Sequence, residues 1–359
     1  MTEADVAVVG VGVLGAATSF ALASQGLDVV ALEQFGVGHT RGSSHGTSRI
    51  FRLVYDDARF VRLAREALVL WREVEEGVSE TLIEHTGSLD IGGDLTAHRA
   101  ALRAEGVEFE SPSADELRRR FPLLRLPDRE LLFQEDGGIV HAGRALRTLL
   151  RLAQKRGLRL LEDTRVETIT TDGAGVTIQA DRASIRAGAV VVAAGAWAAP
   201  LLARLGVELA VQPTRETVAY FRLGPGQRLC TVYDHAAPTA EEHSLPRGGR
   251  GAYALPAPGV GLKVGLHQTG GPADPDEEGR PDPEAVRAAA AWAASRYDLA
   301  DPSPVSAETC LYTNTVDDSF SLERHGRIVL GSACSGHGFK FAPVLGRQLA
   351  GLAREALDS

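Results

Sequence analysis

The sequence predicts a mixed α/β (α+β) chain in which a Rossmann-like nucleotide-binding unit is interleaved with a second, discontinuous, mainly antiparallel unit. Three observations predict it. The chain opens as strand, glycine turn, helix and strand; the same α/β rhythm returns near residues 140–212 and at the C-terminal end; and residues 213–317 hold strands that alternate apolar and polar positions, with a polar loop rich in Gly, Pro, Asp and Glu over 270–283. The first unit is expected to take residues 1–86, 140–212 and 318–359, the second 87–139 and 213–317.

The 359-residue length suits two cores at roughly 100 to 200 residues each. Hydrophobic residues at 44% and charged residues at 24% are ordinary globular values, which argue against disorder and against a membrane protein. A formal net charge of -9 gives no general attraction for nucleic acid. The longest basic run, Arg118 to Arg120, follows the capping-box pair Ser113 and Glu116 and reads as a solvated helix end. Cys230, Cys310 and Cys334 are too few and scattered for a disulfide framework or a zinc site, so no metal is expected. Met1 leads into an apolar strand without a basic leader, and no apolar run reaches spanning length, so a cytoplasmic address is expected.

In order, residues 4–9 read as a strand, 10–15 as a glycine turn, a helix ends at Gly26, and 28–32 form a second strand. An amphipathic helix is expected over 59–76, with Phe60, Leu63, Ala67, Leu68 and Trp71 on one face. Residues 87–138 read as short strands and helices, and 143–155 as a helix stopped by Gly157. Strands are expected at 166–169, 176–180 and 184–186, then at 189–193, whose all-apolar run suggests burial on both faces. Further strands are expected at 218–221 and 261–267, with a helix capped by Asp282 and begun by Pro283. The last segment reads as strand 328–331, glycine turn and helix 343–355.

Gly10, Gly12 and Gly15 lie between strand and helix, and Glu33 closes the second strand where an acid can accept from a ribose diol. The glycines admit a pyrophosphate to the backbone, and the helix N-terminus attracts its charge. The motif alone leaves FAD and NAD open. The polar turn that follows, from Gly38 to Gly46, departs from the continued βαβ winding of a nicotinamide dehydrogenase.

Four separated segments then carry a resemblance: Val8-Val-Gly-Val-Gly12, Gly42-Ser-Ser-His-Gly-Thr-Ser-Arg-Ile-Phe-Arg52, Gly261-Leu-Lys-Val-Gly-Leu-His267, and Cys310-Leu-Tyr-Thr313 with Ser335-Gly-His-Gly-Phe-Lys-Phe341. Together they resemble the monomeric sarcosine oxidase and N-methyltryptophan oxidase family, within the D-amino acid oxidase superfamily of flavoproteins. The resemblance implies FAD, joined covalently to Cys310, with Cys334 the alternative attachment point and Cys230 structural. It extends the cofactor-binding set from Gly10, Gly12, Val13, Leu14, Gly15 and Glu33 to Gln34, Arg41, Ser43, Ser44, His45 and Thr47. It adds Val166, Ala194, Gly195 and Trp197 from the middle of the chain, and Gly336, His337, Gly338, Phe339 and Lys340 near its end.

The last of these turns, at the start of the final helix, is expected to stabilise negative charge on reduced flavin. By resemblance, Arg52 and Lys340 clamp the substrate carboxylate, Arg49 lies near the flavin ring and Lys263 activates oxygen. His267 and Tyr312 match pocket-lining residues, and Tyr253 is placed in the same pocket. On a strand, Lys263 and His267 share one face and Leu262, Val264 and Leu266 the other. If residues 49–52 form a helix or turn, Arg49 and Arg52 point to one side. Asp57 reads equally as an acid orienting an arginine and as a helix N-cap.

The implied reaction takes a secondary amino acid, N-methyl or cyclic, to an imine that hydrolyses, while O2 becomes H2O2. The partners are a small amino acid and O2, with no nucleic acid or membrane, and the implied state is a monomer. Two alternatives stay open: an imine-forming oxidase of a specialised biosynthetic amine, and an FAD-dependent dehydrogenase that passes electrons to a protein acceptor.

Overall fold

The computed structural model describes residues 2–224, 226–235 and 251–358. An eight-stranded sheet has its parallel core in the order Ile328–Ser332, Ser184–Val192, Thr2–Val9, Val29–Leu32, Arg159–Leu161. Every residue of Val29–Leu32 is buried, because helices cover both sides of these strands. On one side Val13–Ser24 packs against Ala142–Gln154 and Ala342–Leu357. Ala198–Ala203 lies on the other, with the second core cluster of this sheet.

A seven-stranded sheet runs Ser306–Asn314, Gln212–Arg222, Gly261–Leu266, Ala252–Ala257, Thr231–Asp234, Ser88–Gly92, Glu130–Gln134. All its described pairings are antiparallel except that of Thr231–Asp234 with Ser88–Gly92. The period-two side-chain alternation of strands divides its residues cleanly. Leu89, Ile91, Phe133, Ala219, Phe221, Val232, Leu262, Val264 and Leu266 face a core closed by helix Pro283–Arg296. The opposite face carries Asp90, Tyr233, Tyr253, Lys263, Cys310 and Tyr312, which the strand register places on one side. A three-stranded ribbon, Arg49–Phe51, Gly138–Val140 and Ile83–Glu84, completes the strands.

Most expected elements appear within a residue or two, including helix Ala58–Glu76 with Asp57 as N-cap, the Ser113–Glu116 capping box, and the Asp282 cap with Pro283. Asp57 also pairs with exposed Arg59, so it orients neither Arg49 nor Arg52. Three readings are corrected. Residues 184–186 and 189–193 are one strand, Ser184–Val192, whose first half pairs with Gly175–Ala180 and whose second half joins the parallel core. Arg49–Phe51 is a strand, not a helix or turn, so the i, i+3 spacing does not bring Arg49 and Arg52 to one side. Gly338–Phe341 is a 3₁₀ turn that precedes helix Ala342–Leu357. An unanticipated edge strand, Ser321–His325, pairs antiparallel with Ile328–Ser332; its polar sequence suits an exposed edge and hides the strand pattern.

Candidate active site

A single cavity of ≈ 1160 Å³ runs from the glycine turn at the carboxyl ends of the parallel strands to the polar face of the seven-stranded sheet. At its nucleotide end Gly10 has φ +90°, and a Cβ there would stand 2.7 Å from Ala193 O; a Cβ on Gly15 would stand 1.9 Å from Gly10 O. Strand and helix therefore meet at a distance only glycine allows. Glu33 is buried, its Oε2 accepting from Val11 N at 2.8 Å and its Oε1 from Phe35 N at 3.1 Å. A carboxylate has acceptor capacity beyond two bonds, so Glu33 can still meet a ribose. Ser44 Oγ accepts from Val13 N at 3.0 Å, tying the turn after Gly38 to the first helix. That helix has no acidic residue in its first turn to compete with a pyrophosphate.

Val166, Ala194, Gly195, Trp197 and Gln34 line the same end. Trp197 Nε1 donates to Asp276 Oδ1 at 2.8 Å, and Arg165 pairs with that carboxylate at 3.1 Å. Gly15, Arg41, His45 and Thr47 do not line the cavity. Arg41 lies over the Phe35 ring and donates to Asp276 O; exposed Thr47 accepts from Ala142 N through its carbonyl. His45 is buried and held neutral, its pKa lowered to about 4 by burial and then by Arg49 and Lys263.

The middle of the cavity holds Cys310, Lys263, Arg49, Tyr253, Tyr312 and Phe339. Burial raises the Cys310 thiol to about 11 against the pull of Arg49 and Lys263. Burial and then Arg49 lower Lys263 to about 7, and its Nζ stands 5.8 Å from the centre of the Tyr220 ring. Arg49 donates to Ser43 O at 2.7 Å and to Ser48 O at 2.9 Å, and its guanidinium lies over Phe339. Gly336 has φ +77°, and a Cβ there would stand 2.3 Å from the Tyr312 ring and 2.6 Å from His267, so the turn needs glycine twice over.

At the far end are two buried cations. Arg52 is sandwiched between the rings of Tyr55 at 4.7 Å and Tyr233 at 4.3 Å, and its Nη1 donates to buried Asp90 at 2.8 Å. Burial opposes the Arg52 charge, but Asp90, Tyr55 and Tyr233 outweigh it and raise its pKa. Lys340 Nζ donates to Tyr55 Oη at 2.9 Å and to His337 O at 2.8 Å, while Trp71 Nε1 donates to Lys340 O at 2.8 Å. Burial, followed by Arg52, pushes Lys340 well below the ordinary lysine range. Tyr55 therefore lies between the two cations. His267 stands 5.7 Å from Tyr312 and 6.1 Å from Tyr233, ring centre to ring centre.

Sequence reasoning missed Tyr55, Asp90, Tyr233, His235 and Asp276. A signal existed for Asp90, because an acid amid Leu89 and Ile91 in a buried strand needs a partner. Tyr55 and Tyr233 gave none, since their role comes from contacts between distant segments.

The chamber thus has a glycine-lined end with room for a dinucleotide and, at the other, two buried basic side chains. The sequence pattern of the FAD dependent oxidoreductases matches residues 5–352. Human peroxisomal sarcosine oxidase is 33% identical over 371 residues, 96% of this chain and 90% of its own length. Monomeric sarcosine oxidase of Bacillus sp. (strain B-0618) is 30% identical over 369 residues, 98% of this chain and 92% of its own. Among solved structures, NikD, an unusual amino acid oxidase essential for nikkomycin biosynthesis, superposes with a TM-score of 0.88 at 30% identity, covering 100% of this chain and 95% of that one. The chain belongs to the FAD-dependent oxidoreductase family. Its cofactor is FAD, and within the family it is a sarcosine oxidase-like enzyme. Among the described residues no helix is long and apolar enough to cross a membrane.

Proposed function

We propose that this enzyme oxidises a secondary amino acid, N-methyl or cyclic, to an imine that water hydrolyses, with dioxygen reduced to hydrogen peroxide. The observation that carries this is the joining of Arg52 and Lys340 through Tyr55 in the cavity that also holds Cys310 and Lys263. A guanidinium fork and an ammonium point charge form a clamp for a carboxylate. Bound FAD supplies the two-electron acceptor, which dioxygen regenerates. The cavity fits the group: its glycines admit the pyrophosphate, Glu33 meets a ribose, and Cys310 provides a sulfur for a covalent tether.

Within this reading Arg52 and Lys340 hold the carboxylate, while His267, Tyr312 and Tyr253 line the substrate pocket. Lys263, buried beside Arg49 and held near 7, is protonated in part of the enzyme at neutral pH, and that form supplies the positive charge that assists dioxygen reduction. The turn from Gly336 to Lys340 lines the cavity, with the N–H groups of His337 and Gly338 bonded back to Cys334 O. The segments 1–86, 140–212 and 318–359 form the FAD-binding domain and 87–139 and 213–317 the substrate domain, a division that sheet membership supports, with Arg52 and Lys340 reaching the substrate from the first and Cys310 reaching the flavin from the second. The enzyme acts as a monomer in the cytoplasm, the latter supported by three cysteines that are all free.

A peroxide assay over N-methylglycine, N-methyltryptophan, proline and pipecolate tests this, with turnover of at least one expected. No peroxide together with flavin bleaching by one of them would mark a dehydrogenase instead. A specialised biosynthetic amino acid is the second reading, favoured by the likeness to NikD.

A further inference from the structure

Asp90 sits in strand Ser88–Gly92, on the cavity side of the seven-stranded sheet and opposite Tyr233 in the parallel pairing. It is fully buried. One of its oxygens, Oδ1, accepts two hydrogen bonds of 2.8 Å, from Arg52 Nη1 and from His235 Nε2. A carboxylate has no hydrogen to give, so Nε2 carries the ring hydrogen and the lone pair of the neutral imidazole lies on Nδ1. A histidine whose tautomer is fixed by a buried acid is built to accept a proton and to hold the resulting charge.

His235 and Arg52 line the cavity and lie within two hydrogen-bond lengths of each other. In an amino acid a single carbon separates the carboxyl carbon from the nitrogen. A carboxylate held at Arg52 therefore brings its amine into the neighbourhood of His235. The groups around the ring come from its own segment and from distant ones. Asp90 lies behind it, His98 from helix Thr96–Ala104 stands edge-on at 4.6 Å, and Tyr233 on its own strand stands at 4.7 Å. Arg52 shares its carboxylate, and Asp56 lies beside His98 and Arg52 at the cavity wall.

We propose that His235, oriented by Asp90, accepts the proton that the substrate's secondary ammonium group must lose before oxidation. The proposal rests on the amino acid oxidase reading above. An ammonium N–H bond breaks, the proton bonds to Nδ1, and the electron pair stays on the substrate nitrogen. That pair forms the C=N bond as the neighbouring C–H bond gives up a hydride equivalent to the enzyme's two-electron acceptor. The imidazolium, stabilised by Asp90, then returns its proton to water.

The test is anaerobic stopped-flow reduction of the holoenzyme by N-methylglycine and pipecolate from pH 7 to pH 10. At pH 7, His235→Gln is expected to lower the limiting reduction rate on the order of 10³-fold. Its rate then climbs about tenfold per pH unit as free amine appears in solution, approaching wild type near pH 10. Propanoate binding, read as a shift in flavin absorption, stays within a few-fold of wild type. If His235→Gln loses that binding, Asp90→Asn is read instead, with a fall of about tenfold and the same recovery with pH. A variant rate equal to wild type at pH 7, or lowered by one constant factor at every pH, overturns the proposal. Wild-type flavin that no amino acid of the panel reduces overturns the parent reading as well; reduction that is normal in both variants overturns only this one.

Discussion

Removing both members of the buried Arg52–Asp90 pair should destabilise the fold by less than the sum of the two single removals. Arg52 Nη1 and Asp90 Oδ1 are 2.8 Å apart, and the side chains are 11% and 0% exposed. Asp90 Oδ2 has no hydrogen-bond partner among the described residues, so Oδ1 carries all of its compensation. Arg52→Met leaves a buried carboxylate with His235 alone, and Asp90→Leu leaves a guanidinium held by Tyr55 and Tyr233, with Asp56 the remaining acid near it. Each orphaned charge is expected to cost about 3–5 kcal/mol. The double variant replaces the pair by apolar side chains, and its loss should fall about 2–3 kcal/mol short of the sum of the single losses. Equilibrium urea unfolding of the four proteins measures this, and thermal midpoints should fall on the order of 5–10 °C in the single variants. Strictly additive losses, or single losses below about 1 kcal/mol, would show that the two groups are solvated and that the clamp is not preorganised.

Lys263→Met should leave anaerobic flavin reduction nearly intact and slow reoxidation on the order of 10²-fold, measured by stopped-flow mixing with oxygen; equal effects on both half-reactions would contradict its assignment. Gly336→Ala adds a Cβ at φ +77° within 2.3 Å of Tyr312, so soluble protein should carry little flavin, read from its visible absorbance. Burial, then Lys340, holds His337 near 3, and burial, then Arg49, holds His45 near 4. The unfolded chain takes up these protons near the ordinary histidine value of about 6.5, so stability should fall as pH drops from about 6.5 to 4. Urea unfolding at pH 7, 5.5 and 4 should show that loss, and His337→Gln should lessen it; equal slopes would count against a buried neutral ring.

The nucleotide end was legible because its constraints are local. Gly10, Gly12 and Gly15 and the acid at Glu33 follow from one strand–turn–helix, and the structure adds only the distances that exclude a side chain. Alternation around Lys263 was legible for the same reason, and the apolar parity of Leu262, Val264 and Leu266 does face a core. The substrate end was half legible. Arg52 and Lys340 stood out through resemblance, but what holds them joins separated segments: Tyr55 next to Arg52 reaches Lys340, the carbonyl of His337 lies one turn before Lys340, and Asp90 and Tyr233 come from two other strands. No single-sequence periodicity encodes such contacts. The spacing of Arg49 and Arg52 misled because a helix period was laid on a strand. Asp276 was hidden in a loop read only as polar, yet it fastens Trp197 and Arg165 at the nucleotide end.

Where the pigment stays when the protein is denatured in acid and digested bears most directly on the arrangement of flavin, thiol and clamp. Yellow colour retained on the peptide that contains Cys310, and lost in Cys310→Ser, is the expected result. Flavin released entirely into the supernatant, or retained on the peptide that contains Cys334, would contradict it.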